Sequence, residues 1–248
     1  MKKVFQFTAL AAVFASVATF AQDKPDGQWH GSINLGASFA SGAVSTTSIS
    51  LNADGTRKTA DDKLTVYGIV ARGTTKANDG VNTASATTTD LYRFGTKYDR
   101  DFNKQLFGFV GGELEKNGVT GLQLRSSINT GLGMHVIAAP DTAFDVFGGV
   151  GYNRYKVKGL GSKGSGEALI GEESAHKISD TTTFKQKGVI YKAFDSDLGY
   201  RATFDSSLGV AMGGGWNMNL TGSLRYANKV YAVKKTESLL TVGLGYKF

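Results

Sequence analysis

Three histidines, His30, His135 and His176, are the imidazoles this 248-residue chain offers for acid–base or metal chemistry. A hydrolase would need a serine and an orienting polar group within hydrogen-bonding reach of one of them. The spacing gives none of the three a serine partner two strands away at the same height. His30 and His135 fall near one mouth of the fold argued below, and His176 in an external loop. Two acidic pairs, Glu113/Glu115 and Glu172/Glu173, could serve as acid–base or cation sites, but read better as a solvated strand end and an exposed loop. The glycine-rich stretch 159–166 lacks the Gly-Lys-Ser/Thr ending and the following helix of a phosphate loop. With no cysteine, thiolate metal sites, thiol nucleophiles and disulfides are excluded. No catalytic residue, metal or cofactor is expected, and the chain does not read as an enzyme.

The more informative residues are basic. Arg93, Lys97, Arg125, Lys192, Arg201, Arg225 and Lys229 are interleaved with Gly, Ser, Thr and Asn, while Asp99, Glu113, Glu115, Asp145 and Asp205 fall near the ends of candidate strands. If the apolar faces of those strands point outward, the basic series is pore-lining, glycines such as Gly209, Gly213, Gly215, Gly243 and Gly245 leave room, and the lumen favours anions. The competing expectation is a plugged lumen in which the same cations pair with acids, because a buried charge without a partner is costly. Binding lipopolysaccharide phosphates would instead need outward-facing, loop-level Lys or Arg, and the sequence places little of that beyond Lys234 and Lys235. No basic patch with interleaved aromatics points to nucleic acid.

Those side chains must be held by strands. From Trp29 every second residue is Trp29, Gly31, Ile33, Leu35, Ala37, Phe39, against His30, Ser32, Asn34, Gly36, Ser38. Such period-two alternation marks a half-buried strand. The same test succeeds at 122–132, 220–227 and 240–248, and nothing after Ala21 shows a helical period. Twelve strands are expected near 28–39, 43–53, 63–73, 90–100, 104–115, 120–132, 143–157, 186–194, 198–205, 207–216, 220–231 and 238–248. The phase of 63–73 is open, since Leu64, Val66 and Val70 compete with Tyr67, Ile69 and Ala71, and Arg72 has no assigned face. Segments 74–89 and 158–185 read as long polar loops, both on the outer side if the first strand rises from the periplasm.

Residues 1–21 read as a cleaved secretory signal: Lys2 and Lys3, an apolar run, then small residues ending at Ala21. The remaining 22–248 would carry a net charge of +5 and form one domain. Mean hydropathy is −0.17 and glycine is abundant at 33 residues. That hydropathy, with no apolar run of about 18 residues in the body of the chain, excludes a helical membrane protein but not a barrel, whose alternating strands look hydrophilic on average. Aromatic residues near strand ends (Trp29, Phe39, Tyr92, Tyr98, Tyr152, Phe204, Trp216, Tyr226, Tyr246, Phe248) fit two interfacial girdles. The alternate apolar residues Leu240, Val242, Leu244, Tyr246 and Phe248 read as an assembly signal for the outer-membrane barrel machinery. The expected architecture is all-β, a closed antiparallel transmembrane β-barrel of about 12 strands, in a Gram-negative outer membrane.

The opening Trp29-His-Gly-Ser-Ile-Asn-Leu-Gly-Ala-Ser38, followed by Ser41-Gly42, Thr46-Thr47-Ser48 and Leu51-Asn-Ala-Asp54, resembles the YdiY-like family of salt-induced outer-membrane proteins. The segments Leu122-Gln-Leu-Arg125, Thr130-Gly-Leu-Gly133 and Gly148-Gly-Val-Gly-Tyr152 are similar to that family's middle, and the resemblance runs from about Gln28 to Phe248. Ala43 stands where asparagine is expected after Ser41-Gly42. The resemblance implies an outer-membrane barrel and carries over no catalytic residues. The sequence-based expectation is a porin-like passive channel for small hydrophilic, preferentially anionic solutes. Its alternative is a closed envelope barrel whose external loops bind a partner. Outer-membrane lipid, periplasmic chaperones and the assembly machinery are the expected partners.

Overall fold

A computed structural model describes residues 25–40, 44–77, 85–159, 161–228 and 236–248. Within them lie β1 (Trp29–Ala40), β2 (Val44–Lys58), β3 (Asp62–Ala77), β4 (Ser85–Asp101), β5 (Leu106–Asn117) and β6 (Leu122–Ala138). They continue as β7 (Thr142–Val157), β8 (Gly161–Lys177), β9 (Thr182–Ala193), β10 (Tyr200–Gly213), β11 (Trp216–Ala227) and β12 (Thr236–Lys247). Each strand pairs antiparallel with its chain neighbours and β12 returns to β1, closing the barrel. Closure satisfies every strand edge, the requirement for sheet in a lipid interior. No helix among the described residues is long and apolar enough to cross a membrane. The expected signal segment 1–21, Ala43, Lys229, Lys234 and Lys235 lie outside the described residues.

The strand count agrees with the sequence reading, but two of its assignments are corrected and cancel. Segment 158–185 is not a long loop: it contains β8 and a four-residue turn at 178–181. The segments 198–205 and 207–216 are not two strands but chiefly one, β10, which runs through Ser206 in unbroken register with β9 and, as far as Ala211, with β11. The ends of the barrel are thereby redefined. The end where β1 begins and β12 finishes has the turns 59–61, 102–105, 139–141, 178–181 and 214–215, whereas β3 and β4, β9 and β10, and β11 and β12 are joined at the other. We call these the terminal end and the loop end. His176, expected in an external loop, sits near the terminal end on β8. The shortest turn is built by glycine alone: Gly213, Gly214 and Gly215 have φ of 94°, 60° and 82°, a left-handed run that a tight hairpin demands and side chains resist.

Alternation sets the faces. Ile33, Leu35, Ile49, Leu51, Leu114, Ile128, Leu132, Ile170, Leu220 and the five alternate residues from Leu240 to Phe248 are exposed on the outside. In β3 the open phase resolves with Tyr67, Ile69 and Ala71 inward and Val66 outward; Arg72 is exposed, on the outer face. The aromatics Trp29, Tyr98, Trp216, Tyr246 and Phe248 gather toward the terminal end, where Trp216 and Tyr246 meet edge to face at 5.6 Å. Tyr92, Tyr152, Tyr200 and Tyr226 lie toward the loop end, with Tyr200 and Tyr226 ring centroids also 5.6 Å apart.

The interior departs from the rule that apolar residues point out. Phe107, Phe109, Phe147, Leu169 and Val189 form a buried cluster inside the barrel, and Ile69, Ala71 and Leu91 form a second. Eight strands give an interior just wide enough for side chains to fill, and diameter grows with strand number. Twelve strands enclose a wider space that only long side chains can bridge, and here Phe, Arg, Lys and Glu reach into it.

Candidate functional site in the barrel interior

Inward positions on β3 to β11 build two layers of ion pairs. In the first, Glu113 on β5 accepts from three groups: Arg93 Nη2 at 2.5 Å, Arg125 Nη2 at 3.1 Å and the Tyr67 hydroxyl at 2.6 Å. Arg125 also reaches Glu115 at 2.5 Å. On the facing wall Arg201 pairs with Glu167 at 2.8 Å while its guanidinium lies 3.4 Å from the centre of the Tyr191 ring. Arg225 lies 3.6 Å from Asp205, which also accepts a 2.6 Å bond from Ser223.

The second layer lies nearer the terminal end. The Lys97 ammonium is 2.9 Å from Asp99 on its own strand and 4.0 Å from Glu173 on β8, four strands around the barrel. Lys63 adds to Asp99 at 3.5 Å and Lys187 to Glu173 at 3.1 Å. The rings of Phe107, Phe109 and Phe147 surround Lys97 Nζ with centroids 5.4–5.5 Å away, a cation–π cage. Below it, His135 donates through Nδ1 to Asp145 at 2.7 Å, has Nε2 3.3 Å from Asp101, and stacks on Phe107 at 4.8 Å. Among residues of both layers is a cavity of about 120 Å³.

The remaining wall, β11, β12, β1 and β2, is mostly uncharged. Ser32 donates to Asp54 at 2.6 Å, Asn34 to Ser32 at 2.8 Å and Asn219 to Asn34 at 2.7 Å. This lattice, with Asp54 as its one carboxylate, ties the first two strands to β11 across the closing seam. Among the described residues the basic side chains of the two layers are thus charge-compensated. A carboxylate lies within 4.0 Å of each of Arg93, Lys97, Arg125, Arg201 and Arg225.

The family model described as "Protein of unknown function, DUF481" matches residues 33–248. The chain belongs to this family. No curated protein matches it. Among solved structures, the NanC porin is similar at 10% identity with a TM-score of 0.52, covering 88% of this chain and 100% of the porin. The COG4313 outer membrane channel from Pseudomonas putida F1 is similar at 11% identity with a TM-score of 0.52, covering 90% and 96%. At such identities the likeness is one of fold: the DUF481 chain has the fold of outer-membrane β-barrels.

Of the basic residues singled out from the DUF481 sequence, five point inward and meet in the two layers. Lys192 does not: it shares the outward face of β9 with exposed Ile190, while Val189 and Tyr191 point in. Lys229 lies outside the described residues. Glu113 and Glu115 are not a solvated strand end but the acceptors of the first layer, and Glu173 is an acceptor of the second, not part of an exposed loop. Glu172, its neighbour, faces outward toward Gln186. Of the histidines, His30 faces Asp26 at 2.9 Å and His176 stacks on Phe184. The sequence reading missed Tyr67, Lys63, Lys187 and Glu167. Their signal was available only through cross-strand register, which places Tyr67 opposite Gly95 and Lys187 opposite both Glu173 and Asp205.

Proposed function

We propose that this chain is an outer-membrane barrel of the Gram-negative envelope whose lumen is closed at rest, acting as a structural element of that membrane. One observation carries the reading. Lys97 reaches from β4 to within 4.0 Å of Glu173 on β8 inside a cage of three phenylalanine rings, so charge and apolar bulk together bridge the barrel from wall to wall at that level. The passive channel for small anionic solutes is the second reading, favoured by a fold similar to a porin and an outer membrane channel. In that reading Arg93, Lys97, Arg125, Arg201 and Arg225 line the path. Anion preference would then require that they exchange their carboxylates for a passing anion. The salt-induced, YdiY-like assignment belongs to the same proposal, supported by the Trp29–Ser38 opening and by the segments Leu122–Arg125, Thr130–Gly133 and Gly148–Tyr152.

Single-channel recording in a planar bilayer under a salt gradient tests this. The refolded wild-type barrel is expected to be silent. The variant Lys97→Ser/Phe109→Ser/Glu173→Ser, which removes the axial groups, is expected to conduct. Steady, anion-preferring conductance of the wild type, lost on neutralising Arg93, Arg201 and Arg225, would replace the closed barrel by the channel.

A further inference from the structure

Outside the barrel, toward the loop end, lies a group of cations the interior does not use. Lys116 ends the outward row of β5, and Arg154 and Lys156 end that of β7; all three are exposed. Register brings them together. Lys156 pairs with Leu124 on β6, Arg154 with Ser126, and Lys116 stands on the strand on β6's other side. Two strand spacings, roughly 10 Å, separate β5 from β7, a gap that two long basic side chains can close on a single phosphate. Lys116 Nζ stands 5.6 Å from the centre of the Tyr92 ring, and Arg154 donates to Ser162 at 3.3 Å. Among the described residues no carboxylate forms an ion pair with any of the three. The terminal end differs: Arg100 pairs there with Asp62 at 2.7 Å and Lys177 with Asp180 at 2.8 Å.

An apolar groove of about 740 Å³ begins at Arg154 and runs down the outer face across β4 to β7. Its floor is made of the small residues Thr96, Gly112 and Ser126, and its banks include Phe94, Leu114 and Ile128. Small residues flanked by bulky ones on a lipid-facing surface make a slot for a chain, and the cations stand at its head.

We propose that this face is a binding site for a phosphorylated membrane lipid, with one acyl chain in the groove and its headgroup phosphate on Lys116, Arg154 and Lys156. Desolvation by the surrounding lipid strengthens these charge-assisted contacts, and arginine offers its fork to two phosphate oxygens. The sequence reading found too few outward, loop-level cations for such a role. Register supplies them by bringing together residues up to forty apart in the chain. The site does not depend on whether the lumen is open.

The test is native mass spectrometry of the full barrel in non-ionic detergent. It is titrated with a bisphosphorylated glucosamine-disaccharide lipid, with the same lipid stripped of phosphate, and with inorganic pyrophosphate. The phosphorylated lipid is expected to bind about tenfold more tightly than the stripped one, and pyrophosphate is expected not to displace it. Lys116→Gln/Arg154→Gln/Lys156→Gln should abolish that preference, while Lys104→Gln/Lys177→Gln at the terminal end should preserve it. Gly112→Leu fills the groove and should weaken both lipids; a Cβ there meets nothing nearer than the Ser127 carbonyl at 3.7 Å, an ordinary contact, and a refolding midpoint equal to that of the wild type checks that the barrel is kept. Equal binding of the two lipids, equal loss in the terminal-end variant, or full affinity in Gly112→Leu would overturn the proposal. Displacement by pyrophosphate would make the site one for free anions and overturn it too. Conductance of the same preparation would overturn the closed-barrel reading alone.

Discussion

Glu113 concentrates the energetics of the interior on one carboxylate. It accepts from Arg93, Arg125 and Tyr67, so replacing it by alanine leaves Arg93 and Arg125 with Glu115 as their shared acceptor and leaves Tyr67 without one. Removing one member of a buried ion-pair network typically costs about 3–5 kcal/mol, most of it the uncompensated charge left behind. Glu113→Ala should therefore lower the urea midpoint of the barrel in lipid vesicles strongly. Glu113→Gln/Arg93→Gln, which removes charge from both sides, should recover most of the loss. Equal midpoints for Glu113→Ala and the wild type would show the layer to be energetically idle. The inward direction of Arg93, Lys97, Arg125, Arg201 and Arg225 was legible from alternation, because their strands carry clear apolar faces. Lys192 was not: Val189, Ile190 and Tyr191 give β9 apolar residues on both faces, and an interior that is itself packed draws Val189 and Tyr191 inward. Pairing was less legible still, since which acid meets which base depends on register between strands, and a one-residue slip reverses every side chain.

At the scale of elements, β8 explains both what the sequence reading missed and what that changes. Its inward row is Ser165, Glu167, Leu169, Gly171, Glu173, Ala175 and its outward row Gly164, Gly166, Ala168, Ile170, Glu172, Ser174. Neither row is apolar, because the inward one supplies acids to the ion pairs and the outward one is partly small. Strand pairing is set by the neighbours instead: β7 alternates strongly and pairs with β8 from Gly161 to His176, and β9 pairs with β8 from Glu167 to Lys177. In β10 the opposite happened, as Ser206-Ser207 imitates a turn in a strand whose backbone runs straight through. The correction moves the turn 178–181 to the end opposite the connection 194–199. With longer loops facing outward, an epitope tag inserted at 195–197 should be labelled on intact cells. A tag inserted within 178–181 should be labelled only after the outer membrane is permeabilised. Surface labelling of the second tag would restore the long external loop and invert the present assignment of ends.

The whole molecule is closed by the pairing of its first and last strands, and stability and assembly make different demands on that seam. Residues 32–36 of β1 pair with 243–247 of β12, and beyond them the Phe248 amide donates to the Gly31 carbonyl while the Gly31 amide donates to the Phe248 carbonyl, both at 3.1 Å. These bonds belong to the backbone and survive Phe248→Ala. The ring itself is 60% exposed, and substitutions at such positions usually change stability by no more than about 0.5 kcal/mol. A folded barrel therefore has little use for the phenylalanine side chain, whereas a machinery that reads the alternate residues Leu240, Val242, Leu244, Tyr246 and Phe248 has a direct one. All five are exposed on the outer face of the last strand, open to recognition before the seam closes. Phe248→Ala should leave the yield and urea midpoint of refolding in vesicles unchanged and reduce the assembled barrel in cells severalfold. Loss of refolding in vesicles would return the residue to a structural role at the seam, and unchanged levels in cells would remove it from assembly altogether.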